Sequence, residues 1–153
     1  MRNNKSIRRW MVLILWMSFI FIMSQQPGDT SSEQSRLVLL LFSFLGIDLN
    51  GVFGNMATFI VRKGAHFTEY FILYIFIYRV LIMYYSKRKS WILGILGVFF
   101  YACTDEIHQL FIDGRVGAFT DVLIDTSGGV FSSIVMIIIN KIKNRGSEIY
   151  CSK

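Results

Sequence analysis

Apolar residues dominate four long stretches of this chain, and polar residues cut those stretches at places that predict helix ends. The first runs from about Ile7 to Gln26 and stops at Pro27-Gly28, a turn signal. Asp29 to Ser35 is polar and reads as solvated. Within it, Ser31-Ser32-Glu33-Gln34 offers an N-cap with Gln three residues on. Leu37 to Ile47 is apolar but too short to span a bilayer, which predicts an interfacial or re-entrant helix broken at Asn50-Gly51. Longer helices follow over about Gly54 to Tyr85, Trp91 to Phe111 and Asp121 to Asn140. Each long helix holds the roughly 20 residues that cross a hydrocarbon core at 1.5 Å per residue. The pattern predicts an all-α polytopic membrane protein with four transmembrane helices, plus the short interfacial or re-entrant helix after the first span. Residues 1–153 form one integral membrane domain, with spans over about 7–26, 64–85, 91–111 and 121–140.

Composition agrees, since 54% of residues are hydrophobic and 17% charged, more apolar surface than a soluble domain of this size hides. The N-terminus resembles a signal peptide, but no small-x-small cleavage site follows Met23, so it reads as an uncleaved anchor. A net charge of +6 raises nucleic acid as a partner, and the placement of the charges removes it. With both termini in the cytoplasm, only Arg36, Arg62, Lys63 and Arg115 of the sixteen Lys and Arg residues fall outside. The other twelve, among them Arg2, Lys5, Arg8, Arg9, Arg79, Lys87, Arg145 and Lys153, lie inside or at the inner edge. The positive-inside rule selects that topology, and the basic excess meets anionic lipid. Trp10, Tyr84, Tyr85 and Trp91 suit an interface. Cys103 and Cys151 have no CxxC or Cys/His spacing and read as chemically idle.

The chemistry lies in polar residues set into the apolar runs. In this topology the second helix enters from outside with Arg62, Lys63, His66, Glu69 and Tyr70. The third leaves through Asp105, Glu106, His108 and Gln109. A loop carries Asp113 and Arg115, and the fourth helix re-enters with Asp121 and Asp125. A charge at the bilayer centre costs about 2.5 kcal/mol or more, so these groups are expected to compensate one another in one shared polar site. Helical spacing places His66 with Glu69 on one face, Asp105 with His108 and Gln109 on another, and Asp121 with Asp125 on a third. Gly128 and Ser132 continue that last stripe and admit a neighbouring helix closely. Arg115 or Lys63 is expected to neutralise Glu106, Asp121 or Asp125. No HExxH or other ligand spacing is fixed by the sequence, so no metal and no cofactor is expected. Arg115 is the best anion hook, because its guanidinium grips phosphate or carboxylate at two points.

The order Ser24-x-Gln26-Pro27-Gly28, Arg62-Lys63-x-Ala65-His66-Phe67-x-Glu69-Tyr70, Asp105-Glu106-x-His108-Gln109 with Gly114-Arg115, and Asp121-Val122-x-x-Asp125-x-x-Gly128 resembles the VanZ-like family. These are small membrane proteins named after a teicoplanin-resistance protein, and the resemblance covers about Trp10 to Asn140. It implies a multi-pass protein of the bacterial cytoplasmic membrane. Some relatives lower susceptibility to teicoplanin and lipoglycopeptides without remodelling the peptidoglycan precursor. The matching family positions are His66, Glu69, Asp105, Glu106, His108, Gln109, Gly114, Arg115, Asp121 and Asp125. Asp113 departs from the family, where many relatives carry proline, and so does Gln25, where serine is frequent.

Three functions stay open. The first is a protein at the outer face of the membrane that binds a lipid-linked or anionic envelope ligand through Lys63, Arg115 and the polar network. Its partners are membrane lipid, a lipid-linked wall precursor or a glycopeptide, and its effect is lowered glycopeptide susceptibility. The second is a membrane-embedded hydrolase or transferase on a lipid-linked phosphate that uses the His/Asp/Glu cluster. Neither a PSGH and SRxxxxxHxxxD phosphatase set nor an EExxxR protease signature occurs, and no catalytic residue is assigned. The third is a proton-coupled carrier, which with four spans and no inverted repeat requires an oligomer.

Overall fold

The computed structural model describes residues 2–151, with side chains from residue 4 to residue 143. Expectations for Arg2, Arg145, Cys151 and Lys153 as side chains lie outside the described residues. All regular structure among the described residues is helical: α1 (Arg2–Ser24), α2 (Gly28–Phe44), α3 (Leu49–Phe53), a 3-10 turn (Gly54–Met56), α4 (Ala57–Leu81), α5 (Lys87–Gln109) and α6 (Phe119–Cys151).

Three stretches are long and apolar enough to cross a membrane: Asn4–Ser24, Lys87–Gln109 and Phe119–Lys143. A bent pair, Gly28–Phe44 with Leu49–Leu81 at 117°, adds a fourth if it acts as one span. Of the apolar stretch in α1 only 11% is buried inside the protein, and of those in α5 and α6 33%. Leu15, Ile22, Ile92, Phe100, Ile134 and Ile138 point outward. Water does not tolerate a surface of this kind over whole helices, and lipid does. The chain is a helical membrane protein.

The segment after α1 differs from its sequence reading. Asp29 to Ser35 is not a solvated link, because α2 starts directly after Pro27 and buries Gly28, Ser31, Ser35 and Leu39. The serines remain helical by returning their hydroxyls to the backbone one turn back. Ser32 Oγ donates to the Gly28 carbonyl at 2.9 Å and Ser35 Oγ to that of Ser31 at 3.0 Å. The capping box at Ser31 does not form; Pro27 holds the cap position without a side-chain bond. The break also comes earlier than Asn50-Gly51, since α2 ends at Phe44 and Gly46 turns with φ +83°. Asp48 Oδ1 then accepts from Gly51 N at 2.9 Å and starts α3 through the expected breaker. The α6 helix runs past the expected end at Asn140.

Packing is densest where Tyr70, Leu73 and Tyr74 of α4 meet Val98 and Ala102 of α5 and Val122 of α6. Lipid removes most of the hydrophobic drive between helices, so association rests on close fit and on polar links. Both are visible. Added Cβ atoms at Gly94, Gly128 and Gly129 would meet Tyr74, the Phe67 backbone and Val98. Tyr101 donates to the Met17 carbonyl at 2.6 Å and Trp16 Nε1 to that of Glu69 at 3.0 Å, which ties α1 to α5 and α4.

These contacts give a direct test of the crossing of α4 and α6. Gly128→Ala drives a methyl group at the Phe67 carbonyl and is expected to cost about 1–3 kcal/mol, as overpacking does. Gly64, on the same helix pair, has nothing within 4 Å of an added Cβ. Gly64→Ala is expected to leave the melting temperature in detergent unchanged or slightly raised, given alanine's helix preference of about 1 kcal/mol. Equal melting temperatures for the two variants would refute this packing.

Candidate functional site

Helices α4 and α6 run parallel, and the register at Gly128 and Phe67 sets the polar contacts below it. Asp125 lies three residues before Gly128, and its Oδ1 stands 4.0 Å from His66 Nδ1. Asp121 lies one further turn back and forms an ion pair with Lys63 Nζ. On α4 itself, Glu69 Oε2 is 3.7 Å from His66 Nδ1, close but beyond hydrogen-bond length.

The antiparallel α5 brings Asp105 and Glu106 from the opposite direction. Gln109 Nε2 donates to Asp105 Oδ2 at 3.3 Å and to Ser24 Oγ of α1 at 3.0 Å. The Tyr70 hydroxyl adjoins Asp105 but does not meet hydrogen-bond geometry. Glu106 points away from this group, as its position one residue on requires, and Oε2 accepts from Ala118 N at 3.0 Å. That carboxylate acts as the cap of α6 from another helix, at the end where the peptide dipoles favour negative charge. His108 goes elsewhere, stacked on Phe21 of α1 with 4.7 Å between ring centres. Its Nε2 is buried without a partner.

Of Arg115 and Lys63, either of which was expected to neutralise an acid, Lys63 does so at close range, on Asp121. Arg115 has no acid within 4.0 Å among the described residues. Its Nε instead donates to the Gln26 carbonyl at 3.1 Å, past the end of α1. A backbone latch accompanies it: Gly28 N donates to the Asp113 carbonyl at 3.2 Å, and an added Cβ on Gly28 would strike the Gly114 carbonyl. Gly114 has φ +70°, which a side chain resists, so both glycines are required for this approach. Burial, then nearby Arg62, lowers the pKa of Arg115 from its ordinary value, while Asp105, Glu106 and Asp121 oppose the shift. Starting so high, the guanidinium stays charged.

A cleft of about 150 Å³ opens between α2 and α4. Arg62 and Arg115 line it together with His66, Glu69, Gln34, Ser31 and Ser35. The sequence reading missed the contribution of α2, and it left Ser24 and Gln26 outside the site. The signal was present as polar residues crowded at the C-terminal end of an otherwise apolar helix.

The Lys63–Asp121 pair is open to a double-mutant cycle. Their side chains are 15% and 19% exposed, shielded enough for the lost partner to matter. Lys63→Met alone is expected to destabilise by about 3 kcal/mol, because Asp121 is left uncompensated. Adding Asp121→Leu is expected to restore most of the loss, as read from detergent melting curves. Independent, additive effects would remove the pair from the account.

No curated protein and no solved structure matches the chain. One family model does, described as VanZ/LLP1, over residues 9–140. That stretch takes in every group of the cleft and of the polar layer, and the chain belongs to the VanZ/LLP1 family.

Proposed function

We propose that this protein spans the bacterial cytoplasmic membrane four times with both termini in the cytoplasm, and that its cleft binds an anionic envelope ligand at the outer face. The fourth span is α4, whose burdens Lys63, His66 and Glu69 face α6 and the cleft. The orientation follows the charges: Arg8, Arg9, Arg79 and Lys87 cluster at one end of the bundle, where Arg9 Nη1 donates to the Arg79 carbonyl at 2.8 Å. The cleft is at the other end.

The observation that carries the ligand reading is the pair of guanidinium groups on the cleft wall. Arg115 is fixed through Nε, and among the described residues no acceptor takes its Nη1 or Nη2. An immobilised, half-used guanidinium beside a second one suits a phosphate or carboxylate. Membrane lipid headgroups and lipid-linked wall precursors carry such groups, and a glycopeptide carries a carboxylate. Occupying or displacing that ligand at the outer leaflet would lower teicoplanin susceptibility without any change to the wall precursor. The alternative, a hydrolase or transferase on a lipid-linked phosphate, has less support. The His66–Glu69 distance leaves the imidazole unoriented as a base, and Ser35 on the cleft spends its hydroxyl on the Ser31 carbonyl.

Two measurements test this reading. In a background with Cys103 and Cys151 replaced by alanine, a membrane-impermeant thiol reagent added outside cells is expected to label Thr30→Cys and not Ser86→Cys, both exposed positions. The reverse pattern overturns the orientation. For the ligand, native mass spectrometry with phosphatidylglycerol and with a polyprenyl phosphate is expected to show binding that Arg115→Lys weakens roughly tenfold, since charge-assisted bonds are worth about 1.5–3 kcal/mol. Teicoplanin susceptibility should follow the same order. A folded Arg115→Lys, Arg62→Gln double variant that binds both lipids like the parent would dismiss the cleft.

A further inference from the structure

Several buried polar atoms have no partner, and one group of them gathers from three helices. His66 of α4, Asp105 of α5 and Asp125 of α6 offer nitrogen and oxygen atoms that all lie within 4.8 Å of one another. Asp105 is 3% exposed and Asp125 1%. Asp105 Oδ1, Asp125 Oδ2 and His66 Nδ1 are buried with no hydrogen-bond partner. The Tyr70 hydroxyl, on a fully buried side chain next to Asp105, is likewise unpartnered. Four orphaned polar atoms on three helices converge on one spot, in a fold that satisfies Glu106, Gln109 and Lys63 around it.

We propose that His66, Asp105 and Asp125 form a binding site for one divalent transition-metal ion of the zinc or manganese class. The site goes beyond the anion cleft and stands whether or not that cleft takes a lipid. Its first support is charge. Among the described residues no Lys or Arg nitrogen comes within 4.0 Å of Glu69, Asp105 or Asp125. Lys63 is paired with Asp121, and Arg115 keeps its charge but is held on the Gln26 carbonyl, with no carboxylate of the described residues within 4.0 Å. Buried carboxylates in low dielectric either take a proton or take a counter-charge. A proton shared between two of these groups would satisfy one pair of atoms, whereas a cation engages the imidazole and both carboxylates at once.

The second support is chemistry. One imidazole with two carboxylates is a mixed nitrogen and oxygen set, which suits zinc or manganese over magnesium or calcium. Ligands held at about 2.0–2.2 Å around a tetrahedral ion stand about 3.5 Å apart, so modest side-chain rotation closes the present spread. Glu69, 3.7 Å from His66, lies beside this group but outside it. Gln109, anchored on Ser24, orients Asp105 through its other oxygen, as outer partners of metal ligands do. His66 and Glu69 also line the cleft, which gives the ion a way in. The sequence puts imidazole and carboxylates in one polar layer but fixes no ligand set, because its members are separated by whole helices. The expectation of no metal from the sequence stands against this proposal, and metal analysis decides between them.

The experiment uses the full chain in detergent, stripped with chelator, reloaded with Zn²⁺ or Mn²⁺ and freed of excess ion. Metal analysis is expected to find about one equivalent, with a raised melting temperature, because binding to the native state stabilises it. The Mn²⁺ form is expected to show nitrogen hyperfine coupling from one imidazole. The chain has only two histidines, so variants assign it. His108→Gln should keep the coupling and His66→Gln should lose it, while Asp125→Asn should weaken uptake at least about tenfold. If His66→Gln does not fold, retention of the signal in His108→Gln makes the assignment. A folded parent that takes up neither ion overturns the proposal, as does coupling that disappears in His108→Gln. Lipid binding measured on the stripped protein tests the anion cleft separately.

Discussion

The close parallel approach of α4 and α6 is the constraint on which the rest depends. In lipid, two apolar helices gain little from hiding from each other, so a fixed crossing must come from shape. Gly128 supplies it by admitting the Phe67 backbone where any side chain would collide. Once that point is fixed, the register of both helices is fixed, and Asp125 and Asp121 fall beside His66 and Lys63. The polar layer follows from one missing methyl group.

That layer divides its charges unevenly. Lys63 and Asp121 cancel, and Glu106 is consumed as a helix cap. What remains is largely separated: Asp105 and Asp125 lie deep, and Arg62 and Arg115 stand on the cleft, where Glu69 also reaches. A purely structural network in a membrane would pair them, since each uncompensated charge costs a few kcal/mol. Arg115 stays apart because Gln26 and the loop around Gly114 hold it. The separation sets a cleft lined by two guanidinium groups beside a buried pair of carboxylates.

Much of this was legible in the sequence, and the reasons for the rest are physical. The apolar helices and the polar residues set in them are visible because hydrophobicity and charge are local properties of a segment. The first turns of α2 were not, although its apolar second half was, because Ser31, Ser32 and Ser35 look like loop residues until the hydroxyls of Ser32 and Ser35 turn back on the helix. The partner of Arg115 was hidden because a backbone carbonyl leaves no mark in the sequence. That His66, Asp105 and Asp125 share the polar site was expected; that these three meet within it was not. Spacing within one helix predicts shared faces, but only the crossing of α4, α5 and α6 brings three faces together. Asp105 and Glu106 are neighbours in sequence and end in different environments for the same reason.

The latch between Gly28 and the Asp113–Gly114 carbonyls, reinforced by Arg115 on Gln26, has a consequence for biosynthesis. It joins the first corner of the chain to the last, across nearly ninety residues. During synthesis α1 and the start of α2 emerge long before the loop that receives them. Until α5 has been made and has turned back, the Pro27-Gly28 corner has nothing to close upon. Contacts of such long range form late, because the intervening chain must be ordered first. The wall of the cleft that α2 provides is therefore finished only when the final helix hairpin arrives, and a partly made chain has no cleft to misuse.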